Sequence, residues 1–150
     1  METIISGGQT GADRAALDFA IARRIENGGW CTRGRLAEDG TISERYQLAE
    51  TPNFDWAQRT EWNVRDSHGT VIISIAPELA GGSKQTAEFA AKYQKPCLHL
   101  SRERDGDDAA RKLSEFLATH PIKTLNVAGP RESEEPDVGV FLRQVLEQAL

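Results

Sequence analysis

The stretch Ile4-Ile5-Ser6-Gly7-Gly8-Gln9-Thr10-Gly11-Ala12-Asp13 decides how the rest of the chain is read. A short apolar run stops at paired glycines, Gly11 follows, and an alanine-rich helical pattern begins. This predicts a strand, a tight turn and the first turn of a helix. Backbone at glycine passes close to a ligand because no Cβ intervenes, and a helix start offers unpaired N–H groups at the positive end of its dipole. Gly7, Gly8, Gln9, Thr10 and Gly11 are therefore candidates for a turn that binds phosphate or carboxylate. The spacing is not the G-x-G-x-x-G dinucleotide fingerprint, and no Lys-Ser/Thr pair follows the glycines as in a Walker A loop. A plainer reading stands beside this one. Thr10-x-x-Asp13 has capping-box spacing, so Asp13 satisfies the N–H groups itself and leaves the turn empty.

A length of 150 residues suits one domain, 1–150, with a real core. Apolar content of 39% and charged content of 27% are ordinary for a soluble protein. The net charge of −5 argues against nucleic-acid or anionic-membrane partners, but not against a local anion site built from backbone N–H groups. Cys31 and Cys97 have no C-x-x-C spacing and read as small buried side chains in a reducing cytoplasm. No charged-plus-apolar leader is visible, and no apolar run approaches a membrane span.

The chain continues as an alternation of strands and helices. Strand one covers residues 3–6. The first helix covers 12–24, with Leu17, Ala20, Ile21 and Arg24 on one stripe and a glycine stop at 26–29. Strand two is expected at Trp30-Cys31-Thr32. Residues 33–56 show no periodicity, a length often tied to function. There Arg33 and Arg35 suit an anion, and Glu38 and Asp39 suit a ribose hydroxyl or a metal, although a solvated loop explains each singly. A helix over 56–66 places Trp56, Arg59 and Asn63 on one face. Strand three, Thr70 to Ile75, is apolar throughout and reads as buried on both faces. A second glycine loop, Ala76 to Ser83, leads into a helix ending at Tyr93, with Ser83 as its expected N-cap. Strand four covers 97–100 and an amphipathic helix 105–120. Strand five covers 124–128 and turns at Gly129-Pro130-Arg131-Glu132, before a last helix with Val138, Phe141, Leu142, Val145 and Leu146 on its apolar face.

This order implies an α/β fold, a parallel sheet with helices on both faces. Ligands in such sheets bind beyond the C-terminal strand ends. The loops after strands one, three and five carry glycine there, which adds Gly81, Gly82, Ser83 and Gly129 to the candidates. Arg59 and Arg131 are candidates to pair with a phosphate, Arg131 being equally suited to a surface ion pair with Glu132, Glu134 or Glu135. His68, His99 and His120 lack metal-ligand spacing, and no G-x-S-x-G nucleophile motif occurs.

Several blocks together resemble a known family: IISGGQTGADRAALD, GWCTRGRLAEDG, RTEWNVRDSHGTVII, LAGGSKQTAEFA and KPCL. They resemble the molybdenum carrier family, the circularly permuted YpsA-like branch of the SLOG group of Rossmann-like proteins, over nearly the whole chain. The resemblance implies a three-layer Rossmann-like fold and a bound molybdenum cofactor or nucleotide. The wider group includes the LOG phosphoribohydrolases, whose P-G-G-x-G-T-x-x-E segment resembles Gly81 to Glu88. The glycine pair and Glu88 stand in register, Lys84 replaces the later glycine, and the threonine is displaced to Thr86. The group's catalytic arginine maps to Arg59. The permutation implies that strand five lies between strands one and three.

We therefore expect a five-stranded parallel sheet in the order 2-1-5-3-4. Its ligand pocket would be lined by Gly7, Gly8, Gln9, Thr10, Gly11, Gly81, Gly82, Ser83 and Gly129, with Asp13, Arg59, Thr86, Glu88 and Arg131 as further contacts. Two function classes remain open: a carrier of a phosphate-bearing ligand, and a hydrolase of nucleoside monophosphates using Arg59 and Glu88. A regulatory nucleotide sensor is a third. The resemblance also implies a homo-oligomer, most simply a dimer, with an outward tryptophan of the 56–66 helix, such as Trp62, as anchor.

Overall fold

The computed structural model describes residues 1–150. In chain order the elements are β1 (Thr3–Ile5), α1 (Ala12–Ala22), β2 (Glu26–Gly28), β3 (Trp30–Cys31), β4 (Leu36–Ala37), β5 (Gly40–Thr41), β6 (Ala49–Glu50), α2 (Trp56–Arg65), β7 (Gly69–Ser74), α3 (Gly81–Lys92), β8 (Cys97–Ser101), α4 (Arg102–Asp105), α5 (Ala109–Thr119), β9 (Thr124–Ala128) and α6 (Val138–Ala149). Five strands form one parallel sheet, ordered β2-β1-β9-β7-β8. The last strand in sequence thus lies between β1 and β7, as the converging glycine loops and the permutation imply. Helices α1, α5 and α6 pack on one face around Ile4, Val71, Ile73, Leu125 and Val127, and α2 and α3 cover the other. All of β7 is buried, so its run of β-branched residues needs no polar alternation.

The strand beside β1 is Glu26–Gly28, not Trp30–Thr32. The cause lies at the end of α1, which stops at Ala22 instead of running to Arg24. Arg24 takes the left-handed conformation, φ 57°, so that its N–H reaches Ile21 O at 3.2 Å and the Ile25 N–H reaches Ala20 O at 2.8 Å. This is the helix termination usually built on glycine, here built on arginine. It frees Glu26–Gly28 to pair with Thr3–Ile5, while Trp30–Cys31 pairs with Ala49–Glu50.

The segment 33–55 is tied down rather than loose. Arg35 donates to the carbonyls of Ile42, Ser43, Tyr46 and Leu48, which closes the segment around one guanidinium. Asp39 is bound by Arg14 through both oxygens, at 2.5 and 2.8 Å. Arg35 and Asp39 therefore serve the scaffold, not a ligand. Cys31 is buried as expected, but Cys97, at the start of edge strand β8, is exposed.

Asp105 anchors the turn after β8. Its side chain is fully covered and accepts from Arg104, Lys112 and the Ser101 N–H at 2.8, 2.6 and 2.8 Å. The Arg104 guanidinium, with Lys112 and the Ser101 N–H, holds its carboxyl well below the usual carboxylate range against the cost of burial. A depressed folded pKa contributes stability above the unfolded value, about 3.9, and loses it as pH falls. Asp105→Asn should cost about 2 kcal/mol at pH 7 and clearly less at pH 3 in urea unfolding. An equal cost at both pH values contradicts this.

Candidate functional site

A cleft of about 180 Å³ opens at the C-terminal ends of β1, β7 and β9. Gly7, Gln9 and Asp13 line it from the first loop, and Trp56, Arg59, Thr60 and Asn63 from α2. Gly81, Gly82, Ser83 and Thr86 come from α3, and Asn126, Gly129, Pro130, Arg131 and Glu134 from β9 and its turn.

The start of α3 differs from expectation in a way that matters. The helix begins at Gly81, so Ser83 is its third residue and Ala80, in extended conformation, occupies the N-cap. Alanine offers no side-chain acceptor, and the first turn carries no acid. The N–H groups of Gly81, Gly82 and Ser83 find no acceptor in the protein; only from Lys84 onward does the ladder begin, with Ala80 O at 3.3 Å. Free donors at a helix start form an anion site. A Cβ placed on Gly82 would meet nothing within 4 Å, whereas one on Gly81 would lie 3.7 Å from Glu134 Oε2. The loop before α3 is fixed by Glu135, whose carboxylate accepts the N–H groups of Ile75 and Ala76 at 2.7 and 2.9 Å. The Thr86 hydroxyl is turned back onto Gly82 O at 2.9 Å.

The first loop is partly closed: the N–H groups of Gly7, Gly8, Gly11 and Asp13 find no acceptor within the chain, whereas those of Gln9, Thr10, Ala12 and Arg14 do. The Ala12 N–H donates to Pro130 O and the Arg14 N–H to Gln9 O, both at 3.1 Å. The Gln9 N–H donates to Asp13 Oδ2 at 3.2 Å. Asp13 thus supplies one local acceptor, but the expected capping box does not form, because the N-cap of α1 is Gly11 without a side-chain cap and the Thr10 hydroxyl bonds Glu38. Gly8, Thr10 and Gly11 do not line the cleft. Gly8 backs onto Leu48 and Ile42, and Gly11 onto the backbone of Pro130 to Glu132. The Thr10 hydroxyl donates to Glu38 at 2.5 Å and accepts the Glu132 N–H at 3.1 Å. Gly129 lines the cleft, but its residue type is demanded by packing, because a Cβ would fall 2.2 Å from Ile73 O.

Between these two loops lies a polar floor. A Cβ on Gly7 would stand 2.7 Å from Arg59 Nη1 and 2.8 Å from Asp13 Oδ2, so glycine lets this pair rest against the backbone. Arg59 donates to Gly7 O at 3.0 Å and lies 3.7 Å from Asp13. Burial pushes the Asp13 pKa up, opposed by the Arg59 charge. Gln9 Oε1 accepts the N–H groups of Thr10 and Glu38 at 3.1 and 2.9 Å, which fixes the orientation of the amide. Its Nε2 is left buried with no partner, a state that costs about 1–3 kcal/mol unless a ligand or water completes it. Asn63 is spent on Trp30, accepting its N–H at 2.8 Å and donating to its carbonyl at 3.0 Å.

Arg131 stands at the mouth, 5.3 Å above the Trp56 ring and 3.2 Å from Glu134. Its ion-pair reading therefore holds, and it remains beside the cleft. Glu88 is a correction: it is exposed and does not line the cleft. Two residues beyond Thr86 it is rotated by about 200° around α3. Trp62 is also accounted for within the chain, edge-on to Trp30 at 4.8 Å with Arg65 over its ring. The outward tryptophan is Trp56, at the cleft. Sequence reading missed Thr60, Asn126, Pro130 and Glu134; only Asn126, a polar residue inside an apolar strand, carried a signal.

Elsewhere Ser74 Oγ lies 2.7 Å from His99 Nε2, but its hydroxyl donates to Ala76 O at 2.7 Å. The histidine is then the donor, and the serine is not activated as a nucleophile. No grouping of His, Cys, Asp and Glu suits a metal ion, and no helix is long and apolar enough to cross a membrane.

Comparison with known proteins agrees with this architecture. The chain superposes with a TM-score of 0.98 on the crystal structure of a protein titled putative molybdenum carrier protein, from Syntrophus aciditrophicus SB. The two are 50% identical, over 100% of this chain and 95% of that one. A search of curated proteins gave no match. The pattern of the circularly permutated YpsA SLOG family matches residues 4–150, and the chain belongs to that family.

Proposed function

We propose that this protein binds or carries a small phosphate-bearing ligand, with the phosphate on the first turn of α3. The carrying observation is the uncapped start of that helix, where the N–H groups of Gly81, Gly82 and Ser83 have no acceptor within the chain and the first turn carries no acid of its own, the Glu134 carboxylate lying 3.7 Å from where a Cβ on Gly81 would stand. A phosphate there gains several charge-assisted hydrogen bonds and the favourable end of the helix dipole. Similarity to a protein titled as a molybdenum carrier supports the molybdenum cofactor, a pterin phosphate, as ligand; a nucleotide offers the same phosphate chemistry. Mass spectrometry of small molecules released from the denatured native protein tests this. A phosphorylated pterin or nucleotide is expected, and a stoichiometric ligand without phosphate contradicts it.

The hydrolase reading keeps one supporting observation, Asp13 beside Arg59 in the cleft. Its expected acid, Glu88, is outside. Release of free base from nucleoside monophosphates, lost in Asp13→Asn, would establish that reading. A homodimer and a cytoplasmic location belong to the carrier proposal through the family resemblance. Light scattering near the 16.5 kDa of one chain rejects the dimer.

A further inference from the structure

The mouth of the cleft carries an ion pair that is close but not hydrogen-bonded. Arg131 Nε is buried and stands 3.2 Å from Glu134 Oε1 and 3.5 Å from Glu38 Oε2, yet it makes no hydrogen bond to either. Arg14 and Arg104 hold their carboxylates differently, each through paired hydrogen bonds. The other oxygen of Glu134, Oε2, lies 3.7 Å from where a Cβ on Gly81 would stand, at the first residue of α3. The chain's own carboxylate therefore borders the N–H groups that have no acceptor. Backbone on both sides of Glu134 is tied down. The Glu132 N–H donates to Thr10, Ser133 donates twice to Glu38, and Glu135 accepts the Ile75 and Ala76 N–H groups. The Glu134 side chain, 45% exposed, has only its pair with Arg131. We propose that Glu134 is a displaceable internal anion: its carboxylate guards the start of α3 while paired with Arg131, and an entering phosphate takes over both its position and its arginine.

This rests on the phosphate site described above and adds the gate that regulates it. Two like charges side by side repel, so the Glu134 carboxylate must swing outward as the phosphate arrives. That swing is a side-chain rotation and needs no backbone change. Arg131 then meets the phosphate with a guanidinium that no hydrogen bond holds to Glu134 or Glu38, and its planar fork suits two phosphate oxygens. The Trp56 ring, 5.3 Å from the guanidinium, attracts it toward the mouth of the cleft. A carboxylate tethered beside the site competes with free ligand at an effective concentration on the order of millimolar. Apparent affinity falls in proportion to the fraction of time the site is covered. Glu134 thereby moderates binding in a protein that must also let its ligand go.

Titration with inorganic phosphate at about pH 8, where phosphate is mostly dianionic, tests the proposal at constant ionic strength, with amide NMR shifts as the readout. Glu134→Gln is expected to bind phosphate about tenfold tighter than the wild type, and Arg131→Gln about tenfold weaker. Glu132→Gln removes the same charge from the same turn but outside this cleft, and should alter binding by less than about twofold. Equal or weaker binding by Glu134→Gln, or an equal gain in Glu132→Gln, overturns the gate; the phosphate site still stands if the Gly81 to Ser83 amides shift. Unaltered binding in Arg131→Gln overturns the handover of the arginine. If those amides stay unmoved by phosphate in both the wild type and Glu134→Gln, the phosphate site itself fails, and the gate with it.

Discussion

Gly82→Asp should abolish ligand binding while leaving the protein as stable as before or slightly more so. The substitution has room, because a Cβ at this position meets nothing within 4 Å and the backbone there is not left-handed. The new carboxylate stands in the first turn of α3, which has neither a side-chain cap nor an acid. There it should stabilise the helix by about 0.5 kcal/mol through the dipole. The same charge occupies and repels the phosphate position, so affinity for a phosphate-bearing ligand should fall by about a hundredfold or more, equivalent to about 2.7 kcal/mol. Thermal unfolding and calorimetry on the same sample separate the two effects. Unchanged affinity would move the phosphate away from α3. A large loss of stability would show that the start of α3 is not the open, tolerant site described.

Gly11→Ala should cost stability heavily, about 3 kcal/mol or more. Gly11 combines φ +77° with a neighbourhood in which a Cβ would lie 2.6 to 2.8 Å from Pro130 O, Glu132 N and Arg131 C. All three are backbone atoms of the turn after β9, and none has a side chain's freedom to swing away. That turn also accepts the Ala12 N–H and donates its Glu132 N–H to the Thr10 hydroxyl, so displacing it loosens the meeting of the first and fifth sheet loops. Urea unfolding measures the cost. A loss under 1 kcal/mol would mean that the junction yields easily and that the two loops are not locked together.

The sheet order was legible from the positions of the glycine loops, local features of the sequence, together with the permutation that the family resemblance implies. The faces of α5 and α6 were legible for the same reason: Leu113, Phe116, Phe141, Leu142 and Val145 all fall on the buried stripe. What escaped depends on groups distant in sequence. Arg24 adopts a conformation that favours glycine because the chain must turn at once into the strand beside β1. Arg35 has a role only after four carbonyls of the following loop have gathered around it. Ser83 looked like an N-cap by type, yet the cap is Ala80, three residues earlier, and Glu88, two residues beyond Thr86, lies on the side of α3 turned away from the cleft. The capping box that the Thr10-x-x-Asp13 spacing suggested does not form: α1 starts after Gly11 without a side-chain cap, the Thr10 hydroxyl goes to Glu38, and Asp13 accepts the Gln9 N–H.

The central claim is that phosphate binds on α3 and not on the first glycine loop. Two-dimensional ¹H–¹⁵N NMR with inorganic phosphate as titrant tests this directly, because each amide reports its own surroundings. The largest shifts should fall on the N–H groups of Gly81, Gly82 and Ser83, which have no acceptor in the protein. The amides of Ala12 and Arg14, already bonded to Pro130 and Gln9, should move little. Shifts confined to residues 7–14, with Gly81 to Ser83 unmoved, would contradict the account.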